Sequence, residues 1–163
     1  MAWTTPRTWV AAETVTASLM NTHLRDNLNA IAAVGIDGWT AVTPAWTGTT
    51  NPTYTVSYAR YCQIGKLVYY RAKYTYTSDG TGTWVWALPV TAAETAGNIV
   101  CGQGVLWDNS ATDTWLVAMD IASTTTLRAT YDLQTNPGIV AQTAPFTWAS
   151  SDHIAFAVTY EAA

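Results

Sequence analysis

The stretch KLVYYRAKYTYTSDGTGTWVWALPV, residues 66–90, decides the fold of this chain, because apolar and polar side chains alternate along it. A period of two is typical of a β-strand that buries one of its faces. The side chains that would share one face of the first run are Val68, Tyr70, Ala72, Tyr74 and Tyr76. The side chains that would share the opposite face are Leu67, Tyr69, Arg71 and Lys73. The stretch therefore predicts a strand with one face in a core.

In the middle of this stretch, the segment SDGTG at residues 78–82 separates two alternating runs. An Asp-Gly pair, here Asp79 and Gly80, is favoured in tight hairpin turns because such turns need positive φ angles. The second run, TWVWAL, alternates large and small residues and stops before a proline. We therefore expect a β-hairpin that turns at Asp79 and Gly80.

Further alternating runs lie on both sides of this stretch. They are YTVSYARYCQIG (54–65), NIVCGQGVLW (98–107), DTWLVAMDIA (113–122), TTTLRATYDL (124–133) and HIAFAVTYEA (153–162). About seven or eight short strands, with turn residues every ~8–12 positions, are typical of antiparallel sandwiches and jelly rolls. No helical segments alternate with the strands, which excludes a parallel α/β sheet. The sequence predicts a mainly β chain in which residues 56–163 form an antiparallel β-sandwich or jelly-roll-like domain.

Before this domain, VTASLMNTHLRDNLNAI at residues 15–31 has the period of an amphipathic α-helix. Its apolar stripe consists of Met20, Leu24, Leu28 and Ile31. Thr14 or Thr16 can cap the start of this helix, and Gly35 and Gly38 end the pattern. A helix of this length is marginal in isolation, so its stripe must dock on a partner. Both the chain's own sheet and symmetry-related copies of the chain remain open as that partner.

The first 13 residues have neither a helical nor a strand period, and they contain Trp3, Pro6 and Trp9. They predict an extended arm whose indoles rest on another surface, as Trp is enriched in interface hot spots. Residues 1–40 are thus predicted to be a segment for attachment and oligomerisation. Residues 41–55 contain several turn-forming Pro and Gly residues and are predicted to be a linker.

The composition favours a protein with subunit contacts. Charged residues make up 11% of the chain and the net charge is −4, so a monomer would have a poorly solvated surface. No cluster of Lys or Arg is present, which speaks against nucleic acid as a partner. No apolar run reaches the ~18 residues of a membrane span, and the N-terminus lacks the pattern of a signal peptide. We expect neither nucleic acid nor a membrane as a partner.

Histidines and cysteines are too few and too scattered to suggest a metal site. His23 and His153 have no metal-binding residue at ligand spacing. Cys62 and Cys101 lie in different predicted strands, and two small buried side chains are favoured there over a disulfide. We therefore predict no metal site and no required cofactor.

Carboxylates are also sparse. Asp108 and Asp113 lie in the loop WDNSATDTW, where a solvated Asx turn is favoured over a calcium site. Together with Asp120 and Asp132 they could supply the acid pair of a glycosidase, but most of them fall in predicted turns. We predict no catalytic residues and no enzyme activity.

Aromatic side chains offer a possible contact with sugars, because exposed indoles on a β-sandwich can stack on sugar rings. The candidates that could face a host surface glycan are Trp84, Trp86, Trp107 and Trp115. Strand alternation turns half of all side chains inward. Core packing or a subunit interface is therefore the alternative for these four.

The first 31 residues resemble the N-terminus shared by many small virion proteins of tailed phages that infect actinobacteria. That pattern runs W-x-x-P-x-x-W, then E-x-V-T-A, then N-x-x-x-R-D-N-L. The matching residues here are Trp3, Pro6, Trp9, Glu13, Val15, Thr16, Ala17, Asn21, Arg25, Asp26, Asn27 and Leu28. More loosely, residues 58–92 resemble the β-domain of phage fibre and decoration proteins, in which a strand after IGK or IGN leads to LP-x-T-A.

This resemblance implies a homotrimer with an N-terminal segment fixed to the virion, an outward β-domain, no catalytic residues and no cofactor. We predict a non-enzymatic structural protein on a tailed-phage virion, assembled in the host cytoplasm, that contacts the major capsid protein or other virion proteins. The chain has no shaft or repeat, which favours a capsid decoration protein. The alternative is a minor tail or tail-fibre protein whose β-domain binds a receptor or carbohydrate.

We make further predictions for three polar residues of the helix. Arg25 and Asp26 could form an ion pair between subunits of the trimer. Asn27, if buried, could fix the register of the packed helices. A solvated Asn27 is equally open.

Overall fold

A computed structural model of the chain describes residues 5, 7–35, 38–93, 99–131 and 138–163. Three residues that carry predictions from the sequence, Trp3, Pro6 and Asp132, lie outside the described residues. The chain divides into two compact units, residues 1–39 and residues 40–163. No helix in the described part of the chain is long and apolar enough to cross a bilayer.

The second unit is a β-domain in which all strand pairs are antiparallel, as the sequence predicted. Its strands are β1 Thr40–Ala41, β2 Trp46–Thr47, β3 Thr50–Ile64, β4 Leu67–Thr81, β5 Val85–Ala87, β6 Ile99–Asp108, β7 Asp113–Ser123, β8 Thr126–Tyr131, β9 Gly138–Ile139 and β10 His153–Glu161. Within the described residues they form one sheet in the order β1-β3-β4-β10-β6-β7-β8-β5-β2, with β9 paired to β8. The mainly β, antiparallel fold class is therefore confirmed.

This sheet curls so that its two ends meet across a shared core. Trp46 on β2, at one end of the strand order, lies 5.6 Å from the Tyr54 ring on β3 and 6.0 Å from the Tyr74 ring on β4. The backbone N–H of Trp46 also donates to the Tyr54 hydroxyl at 3.0 Å. The inner face of one continuous sheet thus encloses the core in a sandwich-like manner.

The alternation in two of the patterned runs, β4 and β10, gives side chains that share an inward face. The five residues predicted to share one face of β4, from Val68 to Tyr76, are all buried. On β10, Ile154, Phe156 and Val158 are buried in the same way and lie beside β4. A period of two thus identifies the buried face, as expected for strands with one face in a core.

The predicted hairpin turn at Asp79 and Gly80 is wrong. Both residues have positive φ, 62° and 87°, so the turn chemistry was correctly recognised. They form a bend inside β4, because β3 continues to pair across them and Pro52 faces Asp79. The actual turn between β3 and β4 lies at 65–66, where Ile64 faces Leu67. The run that contains Trp84 and Trp86 pairs with β8 and β2 instead of returning along β4.

The predicted linker at residues 41–55 is also wrong. This segment holds β2 and the first part of β3, and the Trp46 side chain is 1% exposed in the core. Pro44 lies between β1 and β2 and Gly48 lies between β2 and β3, whereas Pro52 lies within β3. The β-domain therefore begins near Thr40, and residues 41–55 are part of it.

The first unit contains the predicted helix, with one irregularity. α1 covers Ala17–Met20, a π-helical turn covers Asn21–Arg25, and α2 covers Asp26–Gly35. The Thr16 hydroxyl accepts a hydrogen bond from the backbone N–H of Leu19 at 3.3 Å, which makes Thr16 the N-cap. The π-turn, which the sequence pattern did not indicate, widens the helix by one residue in the middle of the apolar stripe.

Candidate attachment and interaction surfaces

The segment before the helix is folded into a turn, which shortens the extended arm predicted from the sequence. The backbone N–H of Glu13 donates to the carbonyl of Val10 at 3.1 Å, and Ala12 has a positive φ of 64°. The Glu13 carboxylate closes the turn by pairing with Arg7. The Arg7 guanidinium also lies 5.0 Å from the centre of the Trp9 ring, a cation–π contact.

Trp9 joins this turn to the helix. Its ring lies edge-to-face on the His23 ring, with centroids 6.4 Å apart and an interplanar angle of 81°. Trp9 is still 40% exposed, so one side of the indole is available to another molecule. The prediction that Trp9 belongs to an attachment surface is compatible with this geometry and stays a prediction.

The predicted apolar stripe of the helix is exposed along its whole length. Met20, Leu24, Leu28 and Ile31 are 42%, 44%, 59% and 54% exposed. Side chains of this kind are normally buried when a helix packs on its own domain. The stripe is therefore a contiguous apolar surface on the N-terminal unit.

Asn27 is buried beside this stripe, which was one of the two open alternatives. Its side-chain amide donates to the backbone carbonyl of His23 at 3.2 Å. His23 lies in the π-helical turn Asn21–Arg25, so this bond ties the Asn27 side chain to the irregular turn. Asn27 thus supports the π-turn within its own chain.

Arg25 and Asp26 form an ion pair with each other, at 2.8 Å between Nη2 and Oδ1. The expectation that they pair between subunits has no support in this arrangement, because neighbouring residues already satisfy each other. Both groups are partly exposed, and such pairs contribute about 0–1 kcal/mol.

Two of the four predicted glycan-facing aromatics are in the core. Trp84 and Trp86 have no exposed surface, so the prediction that they contact sugars is wrong. Strand β5 is covered on that face by the curled sheet, and the Trp84 ring lies edge-to-face on the Trp46 ring at 4.8 Å. These large indoles fill the interior of the curled sheet.

The other two predicted aromatics are half-buried. Trp107 stacks on the His153 ring, with centroids 6.1 Å apart, and Trp115 stacks on Phe146 at 4.6 Å. Burial, with a smaller contribution from the Lys73 charge, lowers the pKa of His153. The two indoles are in different settings, and only Trp107 lies on the outer face of β6 beside β10.

The acidic residues have structural partners. Asp108 accepts hydrogen bonds from Ser110 and from the backbone N–H of Ala111, which is the Asx turn favoured from the sequence and which lowers the pKa of its carboxyl group. Asp120 lies 2.6 Å from Arg128; burial raises the pKa of Asp120 and the Arg128 charge opposes that rise. No group of metal-binding side chains occurs among the residues that the structure describes.

Cys62 and Cys101 are free thiols, both half-buried. The alternative of a disulfide is therefore not realised. Burial raises the pKa of the Cys101 thiol to about 11, with a smaller contribution from the nearby Asp120 charge.

The outer face of the β-domain carries an apolar patch on β6, β7 and β9. Leu116 is 75% exposed and Val100 is 63% exposed, and Ile139 lies at the edge of the same region. These residues line a groove of about 940 Å³. Patches of this kind mark interaction surfaces more often than isolated exposed side chains do.

A second groove, of about 390 Å³, crosses the outer face of β4, β10 and β6. Tyr69 and Arg71 line one side, and Ala155 and Ala157 lie at its floor. The sequence placed Tyr69 and Arg71 on one face of a strand. It could not place them beside the alanines of β10, because that contact depends on the register between strands distant in sequence.

No protein-family model, curated protein or solved structure matches this chain.

Proposed function

We propose that this chain is a non-enzymatic structural protein of a tailed-phage virion, a homotrimer that decorates the capsid and is anchored by its N-terminal segment. The observation that carries the proposal is the exposed stripe of Met20, Leu24, Leu28 and Ile31 in a unit that is separate from the β-domain. The resemblance of the first 31 residues to virion proteins supports the same assignment.

The stripe is large enough to drive association. Fully burying a Leu, Ile or Met side chain contributes about 1.5–3 kcal/mol, so completing the burial of each half-exposed member would contribute about 1 kcal/mol. In a trimer, three N-terminal segments would act together. Linked weak contacts gain affinity through effective concentration, so arms that bind weakly alone would attach the trimer firmly.

The apolar patch on the β-domain supports subunit contacts as well. Leu116 and Val100 are exposed in a groove whose one charged lining residue, in the described part of the chain, is Arg128, and a chain with 11% charged residues solvates such a surface poorly. In the proposed trimer this patch meets a neighbouring copy, and the remaining outer face points away from the capsid.

A minor tail or tail-fibre protein is the second candidate function. Trp107 favours it, because this indole stacks on His153 and remains partly exposed on the outer face of the sheet. A ring held in this way is suited to contact a receptor or a sugar.

The two functions differ in what particles without the protein would lose. A decoration protein that binds only the assembled shell stabilises that shell by mass action. We expect particles without it to release DNA at a lower temperature and to adsorb normally to host cells, and we expect added protein to restore heat resistance. Normal heat resistance with failed adsorption would contradict the capsid assignment and support the tail assignment.

A further inference from the structure

One short segment, residues 40–47, joins the two ends of the strand order, and we call this segment the clasp. It begins with β1, the first strand of the order, and ends with β2, the last strand of the order. Residues 42–45 cross from one to the other. The Trp46 ring on β2 lies beside the Tyr54 ring on β3, yet the two strands are not neighbours in the strand order. The clasp therefore closes the sheet along a seam that has no continuous backbone ladder.

Few backbone hydrogen bonds hold the clasp. β1 pairs with β3 at two positions and β2 pairs with β5 at two positions, whereas β3 and β4 are paired along almost their whole length. The Val42 N–H also donates to the Ala59 carbonyl at 3.1 Å, and the Ala87 N–H donates to the Ala45 carbonyl at 2.8 Å. Segments with so little pairing are among the parts of a protein that open locally, before global unfolding.

Two tyrosine hydroxyl groups fasten the clasp to the sheet. The Tyr54 hydroxyl accepts a hydrogen bond from the backbone N–H of Trp46 at 3.0 Å. The Tyr74 hydroxyl donates to the backbone carbonyl of Pro44 at 3.3 Å. Each fastening is a single side-chain bond, so a change from Tyr to Phe removes it and leaves the backbone ladder unchanged.

Trp46 is the part of the clasp that enters the core. Its side chain is 1% exposed, and its ring centroid lies 4.8–6.2 Å from the centroids of six other rings. The indole N–H groups of Trp46, Trp84, Trp86 and Trp148 have no acceptor among the described residues. A buried donor without an acceptor costs free energy. Burial of the Trp46 ring therefore drives closing of the clasp, and these donors oppose it.

The hinge of the clasp lies at Gly48 and Thr49. The Thr49 N–H donates to the Thr81 carbonyl at 2.9 Å, which ties the start of β3 to the end of β4. A Cβ atom at position 48 would lie 2.7 Å from the Thr81 carbonyl oxygen, so only glycine lets the chain pass this close. The chain before Gly48 can thus leave the sheet while the pairing of β3 with β4 stays intact.

We propose that the clasp opens and closes as one unit on a β-domain that otherwise stays folded, and that its opening lengthens the link to residues 1–39. In the closed state, Thr40 faces Tyr61 on β3. In the open state, residues 40–47 become a free segment that spans up to about 26–29 Å when extended. A load on residues 1–39 acts first on the clasp, because the clasp directly follows them. The proposal does not depend on what residues 1–39 bind.

Native-state hydrogen exchange of the full chain tests this opening. The clasp reporters are the backbone amides of Val42, Trp46 and Ala87, whose bonds close the clasp. The reference is the set of amides at the centre of the ladder between β4 and β10. We expect the clasp amides to share one opening free energy, with protection factors about a hundredfold or more below those of the ladder amides. Equal protection in both sets, or unrelated opening free energies within the clasp, would overturn the proposal.

A core variant distinguishes local opening from global unfolding. Val158 is buried on β10 and faces Tyr70, in the part of the β-domain that stays folded when the clasp opens. Val158→Ala should lower the protection of the ladder amides by about tenfold or more. The clasp amides should stay within about twofold of the wild type, because their opening does not expose this residue. An equal loss of protection in both sets would show that the clasp opens only by global unfolding, which would contradict the proposal.

A pair of hydroxyl deletions tests the fastening. Tyr54→Phe removes one fastening of the clasp, so the protection of the Val42 and Ala87 amides should fall by about tenfold or more, although both bond to other acceptors. Tyr76→Phe is the matched control, because its hydroxyl donates to the Asp79 carbonyl inside β4. That bond survives opening of the clasp, so the same two amides should stay within about twofold of the wild type. Equal losses in the two variants would contradict a clasp that opens as one unit.

Discussion

Large apolar side chains are buried in one unit of this chain and exposed in the other. In the β-domain, Trp46, Trp84, Trp86 and Trp148 are buried in one aromatic cluster at the centre of the curled sheet. In the N-terminal unit, the stripe from Met20 to Ile31 is about half exposed. The β-domain is therefore the unit that could fold on its own core, whereas the helix needs a partner surface.

This difference supports the proposal that core formation and attachment belong to separate parts of the sequence. A core residue of the β-domain acts on the stability of that domain. On the function proposed above, a stripe residue of the helix acts on association and leaves the β-domain unchanged. Changes in each unit should therefore have distinct and separable effects.

The largest effect on stability is expected from the centre of the aromatic cluster. Trp84→Ala removes an indole that contacts Trp46, Tyr76 and Trp148. Large-to-small changes of a buried aromatic residue cost about 3–5 kcal/mol. Denaturant unfolding should show this loss, whereas Trp9→Ala in the N-terminal unit should leave the unfolding of the β-domain within ~0.5 kcal/mol of the wild type. Equal losses would contradict the separation of the two units.

Alkaline pH should destabilise the β-domain next most strongly. Burial raises the pKa of both Tyr70 and Tyr74, and it raises the pKa of Tyr160 to about 12. Above pH ~10 the unfolded chain loses tyrosine protons that the folded chain keeps. The free energy of unfolding should then fall as pH rises, by about 1.4 kcal/mol per pH unit for each of Tyr70 and Tyr74.

The pH range for this effect is about 10 to 12, and the ionisation of these groups should not change stability below about pH 9. Denaturant unfolding at a series of pH values measures the slope. The double variant Tyr70→Phe with Tyr74→Phe should flatten it. A slope that is the same in wild type and double variant would show that these tyrosines do not cause the alkaline loss.

A smaller effect is expected from the buried hydroxyl pair. The Tyr74 hydroxyl lies 2.9 Å from the Tyr70 hydroxyl and donates to the carbonyl of Pro44 at 3.3 Å. Tyr74→Phe removes the hydroxyl that bonds to both partners, and it should lower the free energy of unfolding by about 1–3 kcal/mol. Tyr58→Phe, on the outer face, is the control and should change unfolding by less than ~0.5 kcal/mol. A Tyr74→Phe effect as small as that of the control would contradict the buried network.

The smallest effect on the β-domain is expected from the helical stripe. Leu28→Glu places a charge on the exposed apolar surface, so it should prevent trimer formation in sedimentation experiments. Unfolding of the β-domain should change by less than ~0.5 kcal/mol. Asn29→Glu, at the next position and on the polar side of the helix, is the matched control and should preserve the proposed trimer. A trimer that persists in Leu28→Glu would exclude the stripe as its interface.

Local patterns predicted much of this structure from the sequence. Alternation identified which side chains share a face of β4 and of β10, and helical spacing identified the helix, for which Thr14 or Thr16 was the expected cap and Thr16 is the observed one. These features depend on side chains that are neighbours along one element. They are therefore readable without knowledge of the rest of the fold.

Features that depend on distant partners were not predicted. The Asp79-Gly80 pair indicated a turn, and both residues have positive φ, but continued pairing with β3 makes the site a bend inside a strand. Trp46 sits among turn-forming residues and was assigned to a linker, although the closing of the sheet buries it. The groove around Arg71 depends on the register of β10 against β4, which a single sequence does not encode in any local pattern.

We propose that residues 1–39 attach the protein and that residues 40–163 fold independently of them. The most direct test compares the full chain with a chain of residues 40–163 in binding to particles that lack the protein. We expect the shorter chain to unfold with nearly the wild-type free energy and to show no binding above background. Binding of the shorter chain equal to that of the full chain, with the β-domain folded in both, would contradict the claim.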